Sequence, residues 1–172
     1  MVVIGSGGAG KSVFSRDLGQ RTGLPVIHLD VEFWRPGWVP MDDEPWAARV
    51  HELVAADRWI IDGNYGGTMA IRFKRADTVV FLDLPRVVCL LSAVRRSIRY
   101  RRAARPDMTE GNRERLDLAF LAWIWNYPRT RRPGIVRQLD ALPPTVNVVR
   151  LSSRAAMRNF LNALPAPEAV AA

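Results

Sequence analysis

The chain carries one cysteine, Cys89, so no internal disulfide can form. Cys89 lies in an apolar helical pattern and is expected to be a small core residue. There are two histidines, His28 and His51, and no spacing of a zinc site, helix-turn-helix or other DNA-reading element. No apolar run approaches the roughly 20 residues of a membrane span. Nothing ahead of the first strand reads as a secretory signal. These absences lead to the expectation of a cytoplasmic protein with no membrane contact. Lysine is scarce as well: Lys11 and Lys74 are the only two, against 25 basic residues in all. Arginine therefore carries the net charge of +8. Its planar fork suits phosphate. Charge alone leaves nucleic acid as a candidate partner with no motif behind it.

What remains is an ordinary globular composition, 48% hydrophobic and 24% charged over 172 residues. That length fits one domain. No internal repeat is visible.

The most informative segment is Gly5-Ser6-Gly7-Gly8-Ala9-Gly10-Lys11-Ser12, the pattern G-x-x-x-x-G-K-S. It follows the apolar residues 1–4 and opens residues 12–21, which read as a helix. Glycines let the backbone curl so that successive N–H groups face phosphate oxygens. The helix adds its positive end. Residues Gly5 to Val13 are expected to cradle the phosphates of ATP. Lys11 would reach the β- and γ-phosphates, and the Ser12 hydroxyl would hold magnesium, Mg²⁺.

Strand and helix patterns alternate along the chain. Strands are expected at 1–4, 26–29, 58–61, 78–82 and 146–151. Helices are expected at 12–21, 43–56 with Asp43 as cap, 69–74, 85–102, 115–127, 130–141 and 153–164, with Pro128 separating the two near it. Such alternation means right-handed crossovers and a parallel sheet with helices on both faces, an α/β domain over 1–164. The Arg-rich stretch near 96–115 has weak periodicity and is a candidate lid. Residues 165–172 read as a loose tail.

Parallel α/β sheets bind ligands at the carboxyl ends of their strands. Three carboxylates are expected there. Asp62 would serve Mg²⁺. Asp83 is either a second magnesium aspartate or the cap of the long helix. Asp30 could orient or deprotonate an acceptor hydroxyl, with His28 packed beneath. Residues 33–38 form an aromatic stretch in which Trp34 and Arg35 suit a ring or an anionic acceptor, or else cover the core. Gly63, Asn64 and Tyr65 are placed with the acceptor too. Arg95, Arg96, Arg99, Arg101, Arg102 and Arg105 form a basic run, and Arg131 and Arg132 a second pair. Of these, Arg96 and Arg132 are the expected closers over the transferring group. The apolar helix containing Phe120, Trp123 and Trp125 would either pack against a mate or cover the nucleotide. A monomer or a homodimer is expected.

Val3 to Ser12, Val26-Ile27-His28-Leu29-Asp30, Trp59 to Tyr65 and Val79 to Arg86 together resemble the small P-loop kinases related to adenylate kinase. Within that group they look like the proteins labelled DNA topology modulation protein. The resemblance implies a three-layer fold with a five-stranded parallel sheet in the order 2-3-1-4-5, a lid after the fourth strand, and transfer of the γ-phosphate of Mg-ATP to a small-molecule or nucleotide acceptor. Adenylate kinases carry Phe-Pro-Arg after the Asp-Gly of the third strand. Here Asn64, Tyr65 and Gly66 stand there, which points away from AMP. The acid at the second-strand tip is similar to that of shikimate-type kinases. A stacking arginine of the family is replaced by Ser92. Two rival readings compete: an ATP-switched nucleic-acid-binding regulator, and a P-loop ATPase with no acceptor.

Overall fold

A computed structural model describes residues 1–100, 112 and 117–165. Among the described residues seven strands form: β1 (Val2–Gly5), β2 (Val26–His28), β3 (Trp34–Arg35), β4 (Val39–Pro40), β5 (Ile60–Asp62), β6 (Thr78–Leu82) and β7 (Asn147–Leu151). Five of them make one parallel sheet in the order β2-β5-β1-β6-β7, and β3 and β4 pair as a separate antiparallel hairpin. With the hairpin set aside, this is the expected order 2-3-1-4-5. The helices are α1 (Lys11–Thr22), α2 (Leu29–Phe33), α3 (Asp43–Leu53), α4 (Met69–Arg75), α5 (Arg86–Arg99), α6 (Leu118–Thr130), α7 (Arg132–Asp140) and α8 (Arg154–Ala163). Among the described residues no helix is long and apolar enough to cross a membrane.

Strand alternation sorts the core into two layers. Val2, Ile4, Ile61, Val79 and Phe81 belong to one cluster, with Trp46 and Val50 of α3 and Tyr127 of α6. Val3, Ile60, Val80 and Leu82 belong to the other, with Phe14 and Leu18 of α1 and Met157 of α8. Cys89 is fully buried in that second cluster, as expected. Both sheet faces are covered, so β1, β5 and β6 are almost entirely apolar. The parallel register carries all five carboxyl ends to one edge. His28 pairs with Asp62, and Asp62 with Val3, so the second, third and first strands deliver their ends side by side.

Several local expectations are corrected. Leu29 leaves the second strand and opens the short helix α2, which places Asp30 in a helical first turn. The aromatic stretch folds as the β3–β4 hairpin, with Trp38 in the left-handed region at φ 61. Asp62 is the last residue of its strand and sits within the sheet. Asp42, with no side-chain cap, precedes α3 where Asp43 was expected to cap. Pro128 does not divide the helices. It lies inside α6, where its lack of an N–H costs a single helical bond near the end. The break comes at Arg131. Ser153 does cap α8, accepting from the Ala156 N–H at 3.0 Å. Arg96 to Arg99 close α5. The remainder of the expected lid, including Arg101, Arg102 and Arg105, lies outside the described residues, apart from Asn112. The tail beyond Pro165 lies outside them too.

Candidate active site

The phosphate loop joins β1 to α1. Gly8 (φ 74) and Gly10 (φ 89) are left-handed, which curls the chain. Gly10 caps α1 with no side-chain hydrogen bond, and the first turn of α1 carries no acid. The helix therefore presents free N–H groups and positive potential, a fit for an anion. Lys11 Nζ donates to the carbonyls of Gly5 and Ser6, each at 3.1 Å. Burial lowers its ammonium below the ordinary lysine range, against the pull of Asp30 and then Asp62. Gly7 is overlaid by α6: a Cβ there would lie 2.5 Å from the Phe120 ring.

The β5 end forms the floor beside this loop. Asp62 is 3% exposed, and its Oδ2 lies 2.7 Å from His28 Nδ1. His28 is thus packed beneath the site, as expected. Asn64 Oδ1 accepts from the Gly5 N–H at 3.0 Å, which ties the next loop to the start of the phosphate loop. Tyr65 donates its hydroxyl hydrogen to Asp30 Oδ1 at 2.7 Å.

Over this floor opens a cleft of about 1250 Å³. It gathers Lys11, Ser12, Asp30, Trp34, Tyr65 and Arg96, with Gly7, Gly8, Gly10, Val13, Gly63 and Asn64 also on its surface. Gly5, Ser6 and Ala9 are buried behind it. Arg95 and Arg99 face it from α5, and the Arg96 guanidinium lies 5.7 Å from the Phe120 ring centre. Phe120 and Trp123, stacked at 5.9 Å, line it from α6. The helix thus covers part of the cleft with Phe120 and Trp123, while Leu118 and Trp125 of the same helix are exposed. Arg35 is exposed and does not line the cleft.

Arg132 and Asp83 are placed elsewhere. Arg132 grips Asp83 with Nε at 2.8 Å and Nη2 at 3.0 Å, and Arg150 binds the same carboxylate. Asp83 and Arg132 line a small recess beside Pro85 and Pro128, and none of the three lines the main cleft. Asp83 does not cap the long helix either, since Pro85 precedes α5 with no side-chain cap. Burial would raise the Asp83 carboxyl, but the hydrogen bonds from Arg132 and Arg150 outweigh it and hold it below its ordinary 3.8. A lowered carboxyl stabilises the fold above its unfolded value, and that contribution fades as pH falls through the folded one. Asp83→Asn should therefore cost about 1 kcal/mol at pH 7, since both arginines are partly exposed and solvated. The gap to wild type should close in thermal melts taken well below pH 3.8. An unchanged gap at low pH would show that the ion pairs are not its source.

Sequence reasoning missed three residues. Arg154 of α8 lines the cleft and donates to Ser92 Oγ at 2.7 Å. Its guanidinium would stand 3.7 Å from a Cβ at Gly10. An arginine from another helix thus reaches Ser92, the position where the resemblance led to the expectation of an arginine. The position of Arg154 just past the fifth strand's carboxyl end was the available signal. Arg72, fully buried, stands out only as a cation inside the apolar run of α4. Asn112 donates to the Arg35 carbonyl at 3.1 Å and accepts from the Trp38 N–H at 2.8 Å, a pairing no sequence pattern marks.

No family model and no curated protein matches the chain. Solved structures do. Shikimate kinase from Acinetobacter baumannii aligns at TM-score 0.58 and 17% identity, covering 94% of this chain and 87% of that one. Shikimate kinase from Bacteroides thetaiotaomicron gives 0.55 and 15%, covering 94% and 92%. A sugar kinase from Janibacter gives 0.51 and 18%, covering 94% and 91%. The DNA-topology label gains nothing from these neighbours. At such identities the likeness speaks for the fold: the chain has the three-layer α/β fold of the small P-loop kinases, over nearly its whole length.

Proposed function

We propose that the chain is an ATP-dependent kinase that phosphorylates a hydroxyl of a small-molecule or nucleotide acceptor. The observation that carries this is the meeting of Lys11 and Asp30 in one cleft. Among the charges favouring the Lys11 ammonium, Asp30 is the largest. A phosphate grip and a candidate proton acceptor face a common space, as phosphoryl transfer requires. Asp30 could serve water in an ATPase as well, so product formed from an acceptor is what separates the two readings.

ATP with Mg²⁺ would supply the transferable phosphoryl group. The loop N–H groups, the α1 end and Lys11 would hold its phosphates. Ser12, on the cleft surface, would hold the metal, and Asp62, buried against His28 and off that surface, would act on it from beneath through the metal's water shell. Asp30 would orient the acceptor hydroxyl and take its proton. Arg96, with Arg154 added, would bear on the migrating charge. Trp34 and Tyr65 would flank the acceptor.

The test is Mg-ATP turnover with panels of nucleosides, nucleoside monophosphates, sugars, shikimate and gluconate, following ADP and phosphorylated product together. Asp30→Asn should lower kcat about 100-fold or more, with ATP affinity unchanged. Loss of ATP affinity in step with kcat would make Asp30 a metal or structural residue.

A further inference from the structure

The short loop Gly63-Asn64-Tyr65 connects the two halves of the cleft, and its construction is unusual. Tyr65 sits in the left-handed region at φ 36. A bulky aromatic residue there is a genuine outlier, of a kind that persists only when its surroundings hold it. Three features do so. Arg72 is 0% exposed, and its guanidinium donates to the carbonyls of Gly63 at 2.7 Å, of Asn64, and of Tyr65 at 3.3 Å. Thr68 donates to the Tyr65 carbonyl from its N–H at 3.0 Å and its hydroxyl at 3.2 Å. The Tyr65 ring is wedged between Phe33 at 4.8 Å and Trp46 at 5.0 Å. A charged guanidinium, fully buried and spent on backbone carbonyls, is a costly way to shape a surface turn.

What the loop delivers is specific. Asn64 engages the first residue of the phosphate loop, and its neighbour Tyr65 engages Asp30. Gly63 lies against Leu29, the residue before Asp30: a Cβ at Gly63 would come within 2.9 Å of the Leu29 Cβ. The same backbone thus fixes α2, which carries Asp30, and the loop that carries Tyr65. Trp34 is a further hydrogen-bond partner of the Tyr65 hydroxyl. The phenol, kept neutral by burial and by Asp30, acts as a fixed donor.

We infer that Tyr65 is a positioning residue that locks the Asp30 carboxylate in register with the phosphate loop, with Arg72 as the buried clamp that holds Tyr65 in its strained place. Oδ1 is engaged by the phenol; Oδ2, for which no hydrogen bond is seen among the described residues, is the oxygen that would meet an acceptor hydroxyl. The inference rests on the kinase reading, and it gives the Asn64-Tyr65 pair a purpose where adenylate kinases carry an arginine.

The test uses full-length protein and Mg-ATP with water as the acceptor, so that no identified substrate is needed. Tyr65→Phe keeps the ring among Phe33 and Trp46 and removes only the hydroxyl. It should lower kcat for ADP release about 10- to 100-fold, with the KM for ATP unchanged. In an Asp30→Asn background the same substitution should have almost no further effect, because the group it orients is gone. Losses that multiply independently in the double variant, or an unchanged kcat in Tyr65→Phe, would overturn the inference while leaving the kinase reading intact. A wild-type protein that binds ATP but neither hydrolyses it nor transfers phosphate to any acceptor in the panel would sink the kinase reading and this inference with it.

Discussion

Lys11→Ala should abolish phosphoryl transfer, lowering it by about 1000-fold, while the protein melts close to the wild-type temperature. The Lys11 Nζ contacts that stabilise the fold are two hydrogen bonds to carbonyls of its own loop. Against these stands the desolvation of a cation, so the net contribution of the side chain to stability is small. Its worth to transfer is another matter. A positive charge fixed beside migrating phosphate oxygens, in a cleft shielded by Phe120 and Trp123, acts in a low dielectric. Lys11→Arg should not restore activity, because a planar fork does not replace a compact ammonium in the turn of a glycine loop. The pH dependence follows from the same burial. The cation is the active form, and its pKa is lowered from 10.5. The kcat/KM for ATP, which follows the unliganded enzyme, should therefore fall on the alkaline side before an ordinary lysine would lose its proton. Turnover that survived in Lys11→Ala would remove the phosphate grip from the mechanism.

The sheet was legible because its signals are local. The apolar runs of residues 1–4 and 78–82 need no partner to be recognised, and the glycine pattern names its own chemistry. Asp30 and Lys11 could be brought together from strand ends alone, since parallel topology carries those ends to one edge. The fates of Asp83 and Arg132 could not. Arg132 and Arg150 are 49 and 67 residues from Asp83, and only packing shows that they satisfy its carboxylate. Arg35 and Trp34 are neighbours in sequence, yet the pleat of a two-residue strand separates them. Trp34 lines the cleft and Arg35 does not. Pro128 misled because one missing bond near a helix end is cheap beside the burial of Ile124 and Tyr127. Arg72 was hidden because its partners are backbone carbonyls, which carry no residue signature.

Gly8→Ala should cost both stability and nucleotide binding, and the reason is steric. A Cβ at Gly8 would lie 2.1 Å from the Cys89 carbonyl oxygen, 2.9 Å from its carbon and 3.2 Å from the Ala93 N–H nitrogen. Those atoms are α5 backbone, in the line of its helical hydrogen bonds, so no side chain can turn aside. The φ of 74 adds strain for any residue with a Cβ. The methyl must push the phosphate loop off α5 or open the loop itself. The expected loss is about 3 kcal/mol, with ATP affinity down by more than about 10-fold as the loop N–H groups lose their common focus. Gly23→Ala separates strain from clash. Gly23 ends α1 at φ 67, with open space around its missing Cβ. That substitution should cost only about 1 kcal/mol and leave ATP binding untouched. Thermal melts and ATP titrations on the two variants decide the matter. If Gly8→Ala behaves like Gly23→Ala in both, the contact between the loop and α5 does not hold the loop in its binding shape.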